Sequence, residues 1–306
     1  MKTGLSSAER CVIELIRHAF PFDEDAPCAP QISPSAWLSI AQAADENALG
    51  PLLYVSLQKS RREHELPADA LARLRWSYLR SSVANWQAFQ ELERLLGCFD
   101  RERIPVILLK GCALVPMLYD DAALRPMADL DLMVPRETLT RARALLLARG
   151  YAESSELAPG FADRFSYHLH FHSARQGATV EIHGHLFKSP YYFQRIPMDW
   201  FWTRTREIQL NGRRVSVLAP EAQFLHLSTH FVLHHRAQRL IWSYDLARWL
   251  TRACARMDWG EVIAAARRFG LSLPIQIALS CVRETWGVGA PAEVAARLNA
   301  LRPTAE

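Results

Sequence analysis

The chain contains no stretch approaching twenty uninterrupted apolar residues, which argues against a transmembrane helix. Its first ten residues, Met1 to Arg10, are polar and hold no apolar signal core, so the expectation is a cytoplasmic protein without a membrane partner. The six cysteines, at 11, 28, 98, 112, 254 and 281, form no Cys-x-x-Cys pair and no regular spacing. That excludes a zinc-ribbon motif and a disulfide framework, and predicts reduced thiols. Internal repeats and low-complexity segments are absent too. What remains is ordinary for a globular protein: 306 residues, 50% hydrophobic and 22% charged, enough for one large domain or two to three small ones. The net charge of +4 is uneven. Residues 1–100 carry 10 basic and 13 acidic side chains, 101–200 carry 12 and 11, and 201–306 carry 14 and 8. The basic excess at the C-terminal end is nearly all arginine, scattered through amphipathic helices, and reads as a solvated face rather than a nucleic-acid stripe.

The densest chemical signal begins with an apolar run from Ile104 to Leu109, which ends in Lys110-Gly111. Eighteen residues after that glycine, a second apolar run, Asp129-Leu-Asp131-Leu, carries two aspartates on alternate positions. In a strand such side chains point the same way and lie roughly 6.5 to 7 Å apart. Two carboxylates facing one site repel unless a cation lies between them, and a hard ion such as Mg²⁺ shared with phosphate is the usual solution. A third acid, Glu181, sits in Val180-Glu-Ile-His183 amid apolar neighbours, where an unpaired charge is costly. The alternative is structural: Asp129 and Asp131 pair with Arg125 and Arg136, and Glu181 with a nearby histidine.

The pattern Ile-Leu-Leu-Lys110-Gly111, Leu118-Tyr119, Arg125-Pro-Met-Ala-Asp129-Leu-Asp131-Leu-Met-Val and Val180-Glu181-Ile-His183 resembles a bacterial family of uncharacterised nucleotidyltransferases, within the superfamily that has a DNA-polymerase-beta-like core. The likeness is densest from about residue 104 to 185. It implies that Asp129, Asp131 and Glu181 bind Mg²⁺ or Mn²⁺ and act in catalysis, with an NTP as substrate and a small molecule, a protein or RNA as acceptor. It also implies that Gly111 lets the backbone approach the phosphates at a helix N-terminus. Lys110 would add a point charge, Arg125 would reach phosphate or brace the aspartates, and His183 would orient a carboxylate. The wider superfamily commonly places Ser or Gly after this glycine; Cys112 stands there instead and donates only weakly.

Periodicity divides the chain into a helical region over 1–100, a mixed core over 101–218 and a second helical region over 219–306. Strands are predicted at 104–109, 129–134, 165–172 and 178–185, with helices at 112–119 and 136–149. Asn211-Gly212 predicts a type I′ hairpin within 207–218, and Gly270 and Gly287 are predicted helix stops. The fold class is therefore α+β: a small mixed sheet of nucleotidyltransferase type flanked by N- and C-terminal helices.

Two histidine patterns add readings of their own. His168, His170 and His172 share one strand face, and Glu181, His183 and His185 share another. If those faces coincide, imidazoles surround the third carboxylate and suit Zn²⁺, Mn²⁺ or nucleotide phosphate. His226, His230 and His234 recur every four residues on a predicted helix, where core or interface roles are expected, with nucleotide or acceptor binding the alternative. Trp242 and Tyr244 beside Asp245 are candidates for stacking on a base, although aromatics at helical spacing usually belong to a core. The leading function is transfer of a nucleoside monophosphate from an NTP with release of pyrophosphate. Its rivals are a silent nucleotide-binding scaffold, a toxin-like tRNA nucleotidyltransferase and a zinc-dependent hydrolase; the oligomeric state stays open.

Overall fold

The computed structural model describes residues 4–22, 28–154, 168–173 and 179–301. Seven strands form one sheet: β1 (Ile107–Leu108), β2 (Leu130–Met133), β3 (Ala152–Glu153), β4 (His168–His172), β5 (Thr179–His183), β6 (Thr205–Leu210) and β7 (Arg213–Leu218). Their order is β3-β4-β5-β2-β1-β7-β6. β1 runs antiparallel to β2 and parallel to β7, β2 runs parallel to β5, and β3-β4, β4-β5 and β6-β7 are antiparallel. The protein is thus α+β with a mixed sheet.

Alternation along the strands gives the sheet two unlike faces. Leu108, Leu130, Leu132, Leu169, Phe171, Val180, Ile182, Val215 and Val217 pack into one core with Leu92, Leu95, Leu96 and Phe99 of the long helix Ala68–Arg101 and with Leu139, Ala142 and Leu146 of the helix Leu139–Ala148. The residues between them, Asp131, Glu181, His183, His168 and His170, fall on the other face. At roughly 1.5 to 3 kcal/mol per buried aliphatic side chain, the apolar face fixes the register. Slipping β2, β4 or β5 by one residue would bury its acids or imidazoles in that core.

Where the strands differ from expectation, local chemistry explains it. β1 is shorter than the run 104–109 because the Ile104 N–H closes the preceding helix on the Phe99 carbonyl at 2.9 Å, and Pro105 has no N–H to donate. The first part of the strand predicted over 165–172 lies outside the described residues. β3, only two residues long, offers too little alternation to be read from sequence. The hairpin is as expected: Asn211 and Gly212 take φ of +49° and +82°, the left-handed pair that a type I′ turn needs. Gly270 and Gly287 close their helices at φ of +69° and +76°.

The chain divides into two compact units. One, Ala84–Met117 with Met127–His226, holds the sheet. The other, Met1–Val83, Leu118–Pro126 and Leu227–Glu306, is helical. Its first helix, Ser7–Ala19, begins with a capping box in which the Glu9 N–H donates to the Ser6 hydroxyl and the Ser6 N–H to the Glu9 carboxylate. Within this unit the short segment 118–126 is stitched down by polar side chains. The Tyr78 hydroxyl donates to Asp121 at 2.8 Å, the Ser81 hydroxyl to the Ala123 carbonyl at 2.7 Å, and Arg248 to the Leu118 carbonyl at 2.8 Å. A membrane-spanning helix is not among its elements: no helix of the described residues is long and apolar enough to cross a bilayer.

Candidate active site

The site is built on the polar face of the sheet. β2 and β5 pair in parallel with Asp131 opposite Glu181, and β4 pairs antiparallel to β5 with His170 opposite Glu181 and His168 opposite His183. The strand ladder therefore lays Asp131, Glu181 and His170 in one row across three strands. The Leu109 N–H donates to the Asp131 carbonyl at 3.0 Å, which brings the residue after β1 beside this row. That residue is Lys110.

Lys110 takes a left-handed φ of +44°, a conformation that costs a side-chain-bearing residue about 1 kcal/mol. Its ammonium lies 2.6 Å from Asp131 Oδ1 and 3.4 Å from Glu181 Oε2. His183 Nε2 approaches the same two carboxylates, at 2.8 Å from Asp131 Oδ1 and 3.3 Å from Glu181 Oε2. Asp131 is only 1% exposed, so unpaired ionisation there would be prohibitive. Burial alone would raise its carboxyl; Lys110 and then His183 outweigh it and hold the group below the usual carboxylate range. Glu181 follows the same balance, burial opposed by hydrogen bonding to His183 and by the Lys110 charge, with a lowered result. Burial pushes His183 down, but its bonds to Asp131 and Glu181 win and raise it, favouring the imidazolium. Lys110 is likewise raised, because Asp131 and Glu181 overcome its own desolvation. Two carboxylates, an ammonium and an imidazole form a nearly closed set of partners.

Asp129 stands one residue ahead of β2 and is half-buried. Its charge acts on Lys110, but the tight group of ligating atoms within 4.8 Å of one another comprises Asp131, Glu181 and His183 without it. His170 Nδ1 lies 3.2 Å from Glu181 Oε1, and the Nε2 atoms of His168 and His170 meet in a close contact. Burial, then the charges of His183, His170 and Lys110, push His168 down to about 2, so that ring is neutral. Two histidines expected on these faces stand apart. His172 is exposed, with Nδ1 on the Ser154 hydroxyl at 2.8 Å, and His185 lies beyond the end of β5 between the carbonyls of Phe187 and Ile196. Burial holds His185 down at about 4.

Other residues stand elsewhere than expected. The Cys112 side chain is fully buried in the apolar core, where it has no access to a phosphate. Arg125 belongs to the helical unit, where its Nη2 and Nε donate to Asp245 Oδ2 at 2.8 and 3.2 Å and its Nη1 to the Pro126 carbonyl. Asp245 also accepts from the Tyr119 hydroxyl at 2.5 Å. That use of Asp245, and the burial of Tyr244 against Trp286 with ring centroids 5.0 Å apart, assign this cluster to the core. The histidine stripe ends where the helix Pro220–Thr229 gives way to a π-type turn, His230–His234; His230 meets His235 at 2.9 Å, and His235 stacks on Trp242 with centroids 3.4 Å apart. Sequence reasoning missed the left-handed turn at Lys110. The lone signal for it was the position itself, directly between a strand and a helix, where the neighbouring glycine drew the attention; Gly111 is a buried helical residue.

Residues 33–287 match the profile of a family described as uncharacterised nucleotidyltransferase. The chain belongs to that family. No functionally curated protein matches this nucleotidyltransferase-family chain. Among solved structures, the antibiotic-resistance factor ANT(2'')-Ia is 12% identical with a TM-score of 0.43, over 66% of this chain and 95% of that one. An antigenic nucleotidyltransferase-like protein from Paracoccidioides brasiliensis is 15% identical with a TM-score of 0.40, over 72% and 96%.

Proposed function

We propose that this chain transfers a nucleoside monophosphate from an NTP to an acceptor nucleophile and releases pyrophosphate, using a divalent cation, Mg²⁺ or Mn²⁺, held by Asp129, Asp131 and Glu181. The observation that carries the reading is the in-register pair Asp131 and Glu181 on the polar face of the sheet, with the Lys110 ammonium lodged against both. The donor set suits a hard ion: carboxylate oxygens from two adjacent strands, and a third carboxylate two residues before Asp131. When bound, such an ion neutralises triphosphate charge and lowers the pKa of the attacking group.

The chain's own residues supply the rest. Lys110 and His183 keep Asp131 and Glu181 ionised in a buried setting. The flexible Lys110 stem lets its ammonium pass from the carboxylates to entering phosphate oxygens, while the first N–H groups of the helix Lys110–Leu118 receive them. The acceptor oxygen then forms a bond to the α-phosphorus, the bond to the pyrophosphate oxygen breaks, and the acceptor proton is lost to solvent through the ionised carboxylates. Alignment and electrostatics carry the reaction. The acceptor is a small molecule, a protein or RNA.

One observation favours a second reading, a silent nucleotide-binding protein: Lys110 already balances the carboxylates. Incubation with α-phosphate-labelled NTPs and pools of small molecules, protein or RNA separates the two. Label on an acceptor together with pyrophosphate, both lost in Asp131→Asn, supports transfer. Binding of NTP with no label on any pool and no pyrophosphate supports the silent reading.

A further inference from the structure

Beside the carboxylates lies a second set of donors of different chemistry. His168, His170 and Glu181 each offer one ligand atom, and these atoms all lie within 4.8 Å of one another. The ladder holds them there: His170 is directly opposite Glu181 across β4 and β5, and His168, two residues along, points to the same side. His170 Nδ1 is 3.2 Å from Glu181 Oε1, close to the edge length between two ligands of a tetrahedral ion with bonds of about 2.0 to 2.1 Å. His172 is directed away to Ser154 and takes no part.

We infer that His168, His170 and Glu181 form a site for one imidazole-preferring divalent transition-metal ion of the zinc or cobalt class. Two nitrogens and one carboxylate disfavour Mg²⁺, which demands oxygen ligands, and suit borderline ions. Three protein ligands leave a coordination position open, as in zinc sites that bind a solvent or substrate oxygen. The rim is accessible, since the His170 side chain is 43% exposed. The site shares Glu181 with the carboxylate set proposed for transfer, but its occupancy does not depend on that reaction.

The test is a titration of the full-length, chelator-stripped protein with Co²⁺, read by the visible absorption of the bound ion, followed by competition with Zn²⁺ and with excess Mg²⁺. One equivalent of Co²⁺ is expected to bind, to be displaced by Zn²⁺ and to resist Mg²⁺. His168→Gln and His170→Gln should each weaken it at least about 10-fold, the loss that even an outer partner of a ligand causes. Asp129→Asn should keep the cobalt spectrum while losing Mg²⁺-dependent NTP binding, which separates failure of this site from failure of the transfer reading. Absence of a stoichiometric cobalt site overturns the inference. So does wild-type affinity in His170→Gln, or loss of the signal in His183→Gln alone, which would put the ion on Asp131, Glu181 and His183. Unchanged far-ultraviolet circular dichroism checks that each variant is folded.

Discussion

Two buried charge clusters, one in each unit, differ in what they leave available. In the helical unit, Arg125 grips Asp245 through two nitrogens and Tyr119 fills a further acceptor site, one cation to one anion, with the carboxylate side chain only 1% exposed. In the sheet unit, Lys110 and His183 share Asp131 and Glu181, a third carboxylate stands just upstream at Asp129, and the Glu181 side chain keeps 12% exposure. A planar guanidinium locked in a fork is a brace; a single ammonium on a four-carbon stem is a counter-ion that can be exchanged. Burial of charge alone therefore does not mark a functional site. The useful signs are surplus like charge, a replaceable cation and a path to solvent.

The comparison breaks first at the brace. Asp245→Ala removes the carboxylate that balances the buried Arg125 guanidinium and accepts its Nε and Nη2 bonds, and is expected to cost about 3 to 5 kcal/mol in urea denaturation. Joint replacement, Arg125→Met with Asp245→Leu, should restore most of that loss. A double variant as unstable as the single one would contradict the assignment of a pure brace. At the other cluster, Asp131→Asn is expected to lower transfer by about 10²- to 10³-fold, the scale of losing one preorganised electrostatic contact. Its folded state should persist, because Lys110 keeps Glu181. Unfolding of Asp131→Asn under conditions where wild type is native would make this cluster a second brace.

These two clusters were unequally legible. Asp129, Asp131 and Glu181 could be picked out because strand alternation puts polar residues among Leu, Ile and Val, and a carboxylate in such company needs a reason. His168 and His170 could be placed on one face, but whether that face met Glu181 depended on the register between β4 and β5, which a pattern of period two does not specify. Arg125 looked like a phosphate ligand because its proximity in sequence to Asp129 was visible and its partner, 120 residues away, was not. The strand at 104–109 was overextended because an apolar run marks burial and not hydrogen bonding. The π-type turn at His230–His234 broke a stripe that assumed uniform helix.

Smaller effects sharpen the contrast. Lys110→Met removes the exchangeable cation, so affinity for a divalent ion without nucleotide is expected to rise on the order of tenfold, by the loss of one like charge at contact distance. Unchanged or weaker affinity, measured by titration calorimetry, would mean that Lys110 does not hold a cation's place. The smallest effect is on pH dependence of stability in the metal-free protein. His183 is raised on folding, so its contribution is fully present below about pH 6.5 and lost as pH rises through its higher folded value. Asp131 and Glu181 are lowered, so theirs is present above about pH 4 and lost as pH falls through their depressed values. Stability from this cluster should therefore plateau between about pH 4 and 6.5 and decline on the alkaline side. His183→Gln should abolish that alkaline decline in urea titrations, and its persistence would assign it to another group.

The most direct measurement is a calorimetric titration of wild type and of the Asp129→Asn, Asp131→Asn double variant with each NTP, with and without Mg²⁺. The account predicts that wild type binds an NTP only when Mg²⁺ is present and that the double variant does not bind it. Equal binding by both proteins, or Mg²⁺-independent binding by wild type, would contradict the claim that these aspartates form a metal-nucleotide site.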